Sequence, residues 1–340
     1  MNEEKYAKNQ KESLKIRITR KFVSFILPDV QKLVPRNTPL VEPSPTSPIG
    51  MRVPEVIAVS GKIGWHALKL FTVLPYILKT AFYARRSVRS IKKNPPSAKK
   101  KAGGKFFKEL ELYAKKLGIS AIGYTEIPRE YVFRNRALLF KNAIVLIMDM
   151  DKEKINKAPG ITAGKEVWRT YAELSKAVYK LAEFIRKHGY NAQPDPPIGG
   201  STNFVLLAQK AGLGYIGKHG LLISEKNGPS QRIAAIYTDL ELPFTDSNVD
   251  KYSWIPEFCK VCNRCVFACP AKAIHLEPKI LPNGRRKYID YEKCAVVFSR
   301  TLGCGVCIKE CTFFKTDFEK IRIAYEKLSN KYTRKTLKKT

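Results

Sequence analysis

Residues 258–273 read FCKVCNRCVFACPAKA and residues 294–311 read CAVVFSRTLGCGVCIKEC. Between them they hold every cysteine of a 340-residue chain: Cys259, Cys262, Cys265, Cys269, Cys294, Cys304, Cys307 and Cys311. Thiols used as small core residues would be scattered, and a disulfide framework belongs to short secreted chains. Eight thiols confined to one stretch of a long chain therefore point to bound metal.

The run Cys259-x2-Cys262-x2-Cys265-x3-Cys269-Pro270 has the spacing of bacterial ferredoxins. Three thiolates two residues apart wrap a tight loop round one cubane, while the fourth, carried on a turn of helix, reaches the other cluster. That logic assigns Cys259, Cys262, Cys265 and Cys311 to one [4Fe-4S] cluster and Cys269, Cys294, Cys304 and Cys307 to a second. Zinc is the competing reading, but its sites favour paired CxxC halves at longer separation, and the unbroken run argues against it. Two clusters in reach of one another form a relay, with a low-potential donor outside and an acceptor inside. The acceptor has to be sought upstream, because so short a module cannot account for residues 105–250.

Upstream, Pro39 to Pro54 and Asn94 to Lys105 are rich in proline or in glycine and lysine and read as linkers or extended wraps. Phe106, Leu110, Tyr113, Ala114 and Leu117 recur at helical steps, and Gly118 supplies a stop. Ala143 to Met148 reads as a short buried strand. Val167, Tyr171, Leu174, Val178, Leu181 and Ile185 mark a second helix closed by Gly189. A helix-like run, Phe204 to Ala211, leads into Gly212-Leu-Gly214-Tyr-Ile-Gly217-Lys218-His219-Gly220 and then the strand Leu221–Ser224. The GxGxxG within it is not a dinucleotide fingerprint, which needs a strand before and a helix after. The glycines read instead as letting the backbone approach another large flat or anionic ligand, with Lys218 supplying charge; a plain glycine-rich connection is the alternative. Gly228-Pro229 turns the chain into the strand Arg232–Thr238. Neither HExxH nor a Walker loop is present, so a cofactor must carry the chemistry.

The net charge is +32, yet 44% of residues are hydrophobic, which excludes a disordered basic tail. Residues 1–104 carry +15, residues 105–318 carry +11 and residues 319–340 carry +6. Basic ends flanking a milder middle suit a peripheral membrane surface or tRNA, unless they are simply solvated. No transmembrane helix is expected, because Trp65 to Ala84, the most apolar early stretch, contains His66, Lys69 and Lys79 and is broken by Pro75. It reads as a core-packing helix or as one lying flat on anionic lipid. Thr19-Arg20-Lys21-Phe22 has too short an apolar run after it for a secretion signal. The chain reads as cytoplasmic, with association at the inner membrane face as the alternative.

The run GLGYIGKHGLLISEKNGPSQRIAAIYTDLELP, joined to the two cysteine runs, resembles the cobalamin-dependent reductases that include reductive dehalogenases and epoxyqueuosine reductase. FKELELYAKKLGISAIGYTEIP, FKNAIVLIMDMD and TYAELSKAVYKLAEFIRKHGY also fit, so the resemblance covers about residues 105–315 and is nearer the dehalogenase branch. It implies an α+β fold: a nitroreductase-like cobalamin-binding domain over 105–250, then a bacterial ferredoxin-like domain with two [4Fe-4S] clusters over 251–318. A basic N-terminal extension over 1–104, with linkers and an amphipathic helix, and a basic tail over 319–340 flank them. It further implies a base-off corrinoid lined by Lys218, His219, Leu222, Ile223, Ser230, Gly305 and Val306, and a small-molecule substrate. Ferredoxin or flavodoxin is the implied electron donor. The dehalogenase tyrosine that donates a proton matches Tyr171, with Arg232 or Lys218 as the cation stabilising its anion and Asp195 as a reserve donor.

The chain departs from both branches. The epoxyqueuosine reductases' aspartate is Ile198 here, the dehalogenases' asparagine is replaced in Pro-Ile-Gly-Gly, an arginine expected after Gly-Pro is Ser230, and a proline expected after Cys311 is Thr312. The leading expectation is a reductase of dehalogenase type. A tRNA-modifying epoxyqueuosine-type reductase and a non-catalytic [4Fe-4S] electron-transfer protein are the alternatives.

Overall fold

The computed structural model describes residues 14–50, 53–60, 67–245, 250–281 and 284–337. In chain order these form helices α1 (Leu14–Ile26), α2 (Val53–Ser60), α3 (Ala67–Arg89) and α4 (Gly104–Lys116), then strands β1 (Ala121–Glu126) and β2 (Asn142–Asp149). Helix α5 (Ile161–Lys187), β3 (Gln193–Asp195), α6 (Phe204–Lys210), β4 (Tyr215–Ile216), β5 (Leu222–Ile223) and β6 (Gln231–Thr238) follow. The cysteine-bearing part contains α7 (Ile255–Cys262), the hairpin β7 (Ile274–Ile280) with β8 (Arg286–Ile289), α8 (Tyr291–Arg300) and α9 (Phe318–Leu337), joined by single helical turns.

The central sheet is antiparallel in the order β1-β2-β6-β3. Alternate residues of a strand face opposite sides, and β2 is covered on both. Ile144, Leu146 and Met148 pack with Leu110 of α4 and Leu174, Leu181 and Ile185 of α5. Ala143, Val145 and Ile147 pack with Leu207 and Ala208 of α6. That double burial explains why the strand reads as an unbroken apolar run and not as an alternating one. Helices α4 and α5 end where Gly118 and Gly189 take φ of +85° and +87°, which a residue with a β-carbon adopts at a cost.

The segment before residue 105 packs directly on this core. Helix α3 lies along α5, with a Lys79–Glu173 ion pair at 2.6 Å, and runs through Pro75 without interruption. Trp65 and His66, read as the start of this helix, fall outside the described residues. The proline-rich stretch is an extended wrap: Val41 pairs with Leu138, and Ser44 and Pro48 exchange backbone hydrogen bonds with Arg129 and Arg134. At the other end the expected basic tail is helical, with Phe318 and Ile321 of α9 buried and Tyr325 stacked on Trp254.

The glycines of the 212–220 run serve the chain itself. Gly214 has φ of +150°, and a β-carbon there would stand 2.2 Å from the carbonyl oxygen of Ile223; one on Gly217 would stand 2.6 Å from the Ile223 side chain. The small hairpin β4–β5 closes that tightly, so the glycine pattern follows from backbone approach to β5. Gly214→Ala is expected to cost about 2–4 kcal/mol of folding stability, combining an unfavourable φ with a clash against backbone. Denaturant titration of the two proteins checks this, and an unchanged midpoint would contradict it.

Candidate iron–sulfur and proton-donor site

Helix α7 carries Cys259 and Cys262, and Asn263 then turns the chain in the left-handed region with φ of +52° so that the helical turn Arg264–Phe267 can present Cys265. Asparagine is among the few side chains that tolerate this conformation. Cys311 comes from the far end of the module, and these four thiols together line one open pocket that Lys218, His219 and Phe313 also border. The charges of Cys259, Cys262, Cys265 and Cys311 act on one another. Among the described residues no three Cys, His, Asp or Glu side chains converge on one point as ligands of a single ion do; the thiols ring a space instead.

Burial pushes the Cys259 thiol up to about 11 and that of Cys265 to about 12, and the Cys311 thiol further. Against this, backbone N–H groups of Lys218 and Phe313 donate to the sulfurs of Cys259 and Cys311. The hydroxyl of Thr312 stands 3.2 Å from Cys262 Sγ. Thr312 occupies the place where a proline was expected, and a proline has no such donor. The departure is visible in the sequence, but its partner lies 50 residues earlier in the chain, beyond any local pattern.

The other four cysteines form a second group. Cys294 on α8 is influenced by Cys304 and Cys269, and the partly buried Cys307 by Cys294, Cys304 and Cys269. Cys304 accepts from the backbone of Val306, and Cys269 from that of Ala273 at 3.4 Å. Cys307 is also influenced by Cys265, so the two groups adjoin.

Tyr171 sits in the apolar cluster that holds Cys307, Phe298, Ile223 and Val167. The Arg232 guanidinium lies 4.5 Å from the centroid of its ring, and Trp168 packs against it. Of the two cations expected beside Tyr171, Arg232 is there, whereas Lys218 is turned away. Its Nζ donates to Asn263 Oδ1 at 2.6 Å and reaches toward the carbonyl of Lys260, placing a buried cation beside the first group of thiols.

The residues assigned to the corrinoid divide. Lys218 and His219 border the first thiol group, and Gly305 and Val306 flank the second, Gly305 lying against Ala158. Leu222, Ile223 and Ser230 are 1%, 0% and 0% exposed and lie beneath the surface. Three buried nitrogens in this region, His219 Nε2, Trp168 Nε1 and Arg232 Nε, find no hydrogen-bond partner. Buried donors are nearly always paired, so a ligand bearing acceptor groups fits this place. Asp195 is elsewhere: it accepts from Tyr237 and from the Ser201 backbone, and it borders a different cavity with Arg136 and Gln193.

A family model described as a 4Fe-4S dicluster domain matches residues 258–314. The tetrachloroethene reductive dehalogenase of Desulfitobacterium hafniense is 36% identical over 191 residues, covering 52% of this chain and 34% of that protein. The enzyme of the same name from Sulfurospirillum multivorans is 31% identical over 184 residues, again covering 52% of this chain, and 36% of that protein. An epoxyqueuosine reductase of Vibrio cholerae is 30% identical over 148 residues, covering 41% of this chain and 37% of that one. The solved structure of a catabolic reductive dehalogenase superposes with a TM-score of 0.63 at 19% identity, covering 78% of this chain and 41% of the other. The fold is therefore the mixed helix-and-sheet fold of reductive dehalogenase structures. The chain is a relative of the reductive dehalogenases and epoxyqueuosine reductases, with the dehalogenases more similar. It spans about a third of the length of the curated relatives it matches.

Burial raises the Asp195 carboxyl to about 6. A carboxyl raised on folding favours the folded state below its ordinary range near 4, and that contribution is lost as pH climbs through 6. Stability should therefore fall between pH 4 and 6.5 by an amount on the order of 2 kcal/mol from this residue. Asp195→Asn should flatten that part of the curve, and denaturant midpoints at the two pH values test it.

Proposed function

We propose that this chain is an iron–sulfur reductase of the reductive dehalogenase type. The observation that carries the reading is the pair of adjoining thiol groups set against Tyr171 and its stacked Arg232. The first group, Cys259, Cys262, Cys265 and Cys311, and the second, Cys269, Cys294, Cys304 and Cys307, each hold one [4Fe-4S] cluster. The order of the two groups makes them a relay that takes electrons from a low-potential donor such as a ferredoxin or flavodoxin. Lys218 offsets negative charge at the first cluster from within a low-dielectric site, where a single cation counts for more than at the surface.

Homology also implies a corrinoid, and the unpaired nitrogens of His219, Trp168 and Arg232 support a polar ligand here. Lys218, His219, Gly305 and Val306 are the residues that hold it, with Leu222, Ile223 and Ser230 forming the layer beneath. When bound, it supplies a strongly reducing cobalt centre. The remaining chemistry is proton supply. Replacing a carbon–halogen bond by carbon–hydrogen consumes two electrons and one proton and releases halide. Tyr171 Oη delivers the proton, with the Arg232 guanidinium held over its ring. A halogenated small molecule is accordingly the proposed substrate.

Anaerobic reconstitution should yield about eight irons and one corrinoid per chain. Protein that loads clusters but no corrinoid would overturn the dehalogenase reading. Tyr171→Phe should keep both cofactors and lose dechlorination of a chloroalkene panel by about 100-fold or more. Thr312→Val should retain iron and shift one cluster's midpoint potential downward, because a hydrogen bond to a ligating sulfur stabilises the reduced, more negative state; an EPR-monitored redox titration reads the shift.

A further inference from the structure

Helix α1 exposes Leu14, Ile18, Phe22 and Phe25, at steps of four, four and three residues and hence on one face. Ile16, on the opposite face, is buried against the protein. Helix α3 exposes Phe71, Leu78 and Phe82 on one face in the same way and buries Val73, Thr80, Ala84 and Ser87 on the other. These seven exposed apolar side chains are 52–70% accessible. The two helices touch, and the Arg85 guanidinium of α3 covers the Phe25 ring of α1 at 3.4 Å from its centroid while donating to the Phe25 carbonyl. The two apolar stripes thus meet at Arg85 in one surface.

The charge carried by the two helices has one sign, with Arg20 paired to Glu55 and Lys79 to Glu173 of neighbouring helices. Neither helix contains an acidic residue. Lys15, Arg17 and Lys21 are exposed beside the α1 stripe, and Arg86, Arg89, Lys92 and Lys93 are exposed at the end of the α3 stripe. No helix among the described residues is long and apolar enough to cross a membrane. A partner for this face must be apolar at its centre and negative around it. A second copy of the same face would set like charges against each other, at a cost of several kcal/mol. An anionic bilayer offers both properties, since apolar side chains enter the boundary between headgroups and acyl chains and basic residues stay with the phosphates.

We infer that α1 and α3 together dock the protein, lying flat, on an anionic lipid surface. The test is sedimentation of the full chain with vesicles of phosphatidylcholine alone and with about one-third phosphatidylglycerol. Binding is expected to the anionic vesicles only and should weaken as salt rises. The exposed double variants Ile18→Glu with Phe22→Glu, and Phe71→Glu with Leu78→Glu, should fold as the parent does by circular dichroism and bind these vesicles at least about tenfold more weakly. Equal binding of parent and variants, equal binding to both vesicle types, or a soluble parent that fails to sediment would each overturn the proposal. Binding to tRNA without vesicle binding, or dimerisation through this face without it, would do so as well.

Discussion

Much of this structure depends on two places where the cysteine module meets the sheet domain backbone to backbone. A β-carbon at Gly164 would stand 2.7 Å from the Leu302 carbonyl oxygen, and one at Gly228 would stand 2.4 Å from that of Phe313. Only hydrogen fits at either point. The first contact seats the start of α5 on the loop that leads into Cys304, and Tyr171 follows two turns later on the same helix. The second brings the segment after Cys311 onto the turn before β6, the strand that carries Arg232. The separation of tyrosine, arginine and thiols is therefore set by a rigid helix and strand, which is how a site achieves fixed geometry.

Electrostatics then divides the labour between inside and outside. Lys218 is 6% exposed beside thiols whose protonation burial favours, and its hydrogen bond to Asn263 holds it there. Arg232 is committed to the face of Tyr171. The surplus of positive charge in the N-terminal region lies on α1, α3 and the residues after α3. Charge near the thiols acts through a low dielectric at short range, whereas charge on the outer helices acts through solvent and is screened by salt. Two-thirds of the overall +32 lies outside residues 105–318.

Period and spacing make much of this legible in the sequence. The helices α4 and α5, the buried strand β2 and the thiol stretch follow from patterns local to a few residues. The double cover of β2 explains its all-apolar composition, and Gly118 and Gly189 stop the helices as expected. The glycines of residues 212–220 were legible as a constraint but not as to its source. A glycine pattern reports that something comes close, and at Gly214 it is the Ile223 carbonyl. A cation next to a glycine-rich run likewise gives no sign of the partner it will meet, and Lys218 meets Asn263 Oδ1.

What the sequence by itself determined was the clustering of eight thiols, the periodic core and the excess of basic residues at the ends, since composition and spacing are properties of the chain. Only the tertiary structure decided that Thr312 serves Cys262 and that Arg232 and not Lys218 covers Tyr171. It also decided that the apolar faces of α1 and α3 meet in one surface. Each of these is a contact between residues separated by tens of positions, and such contacts are settled by how rigid elements close-pack, which no local pattern encodes.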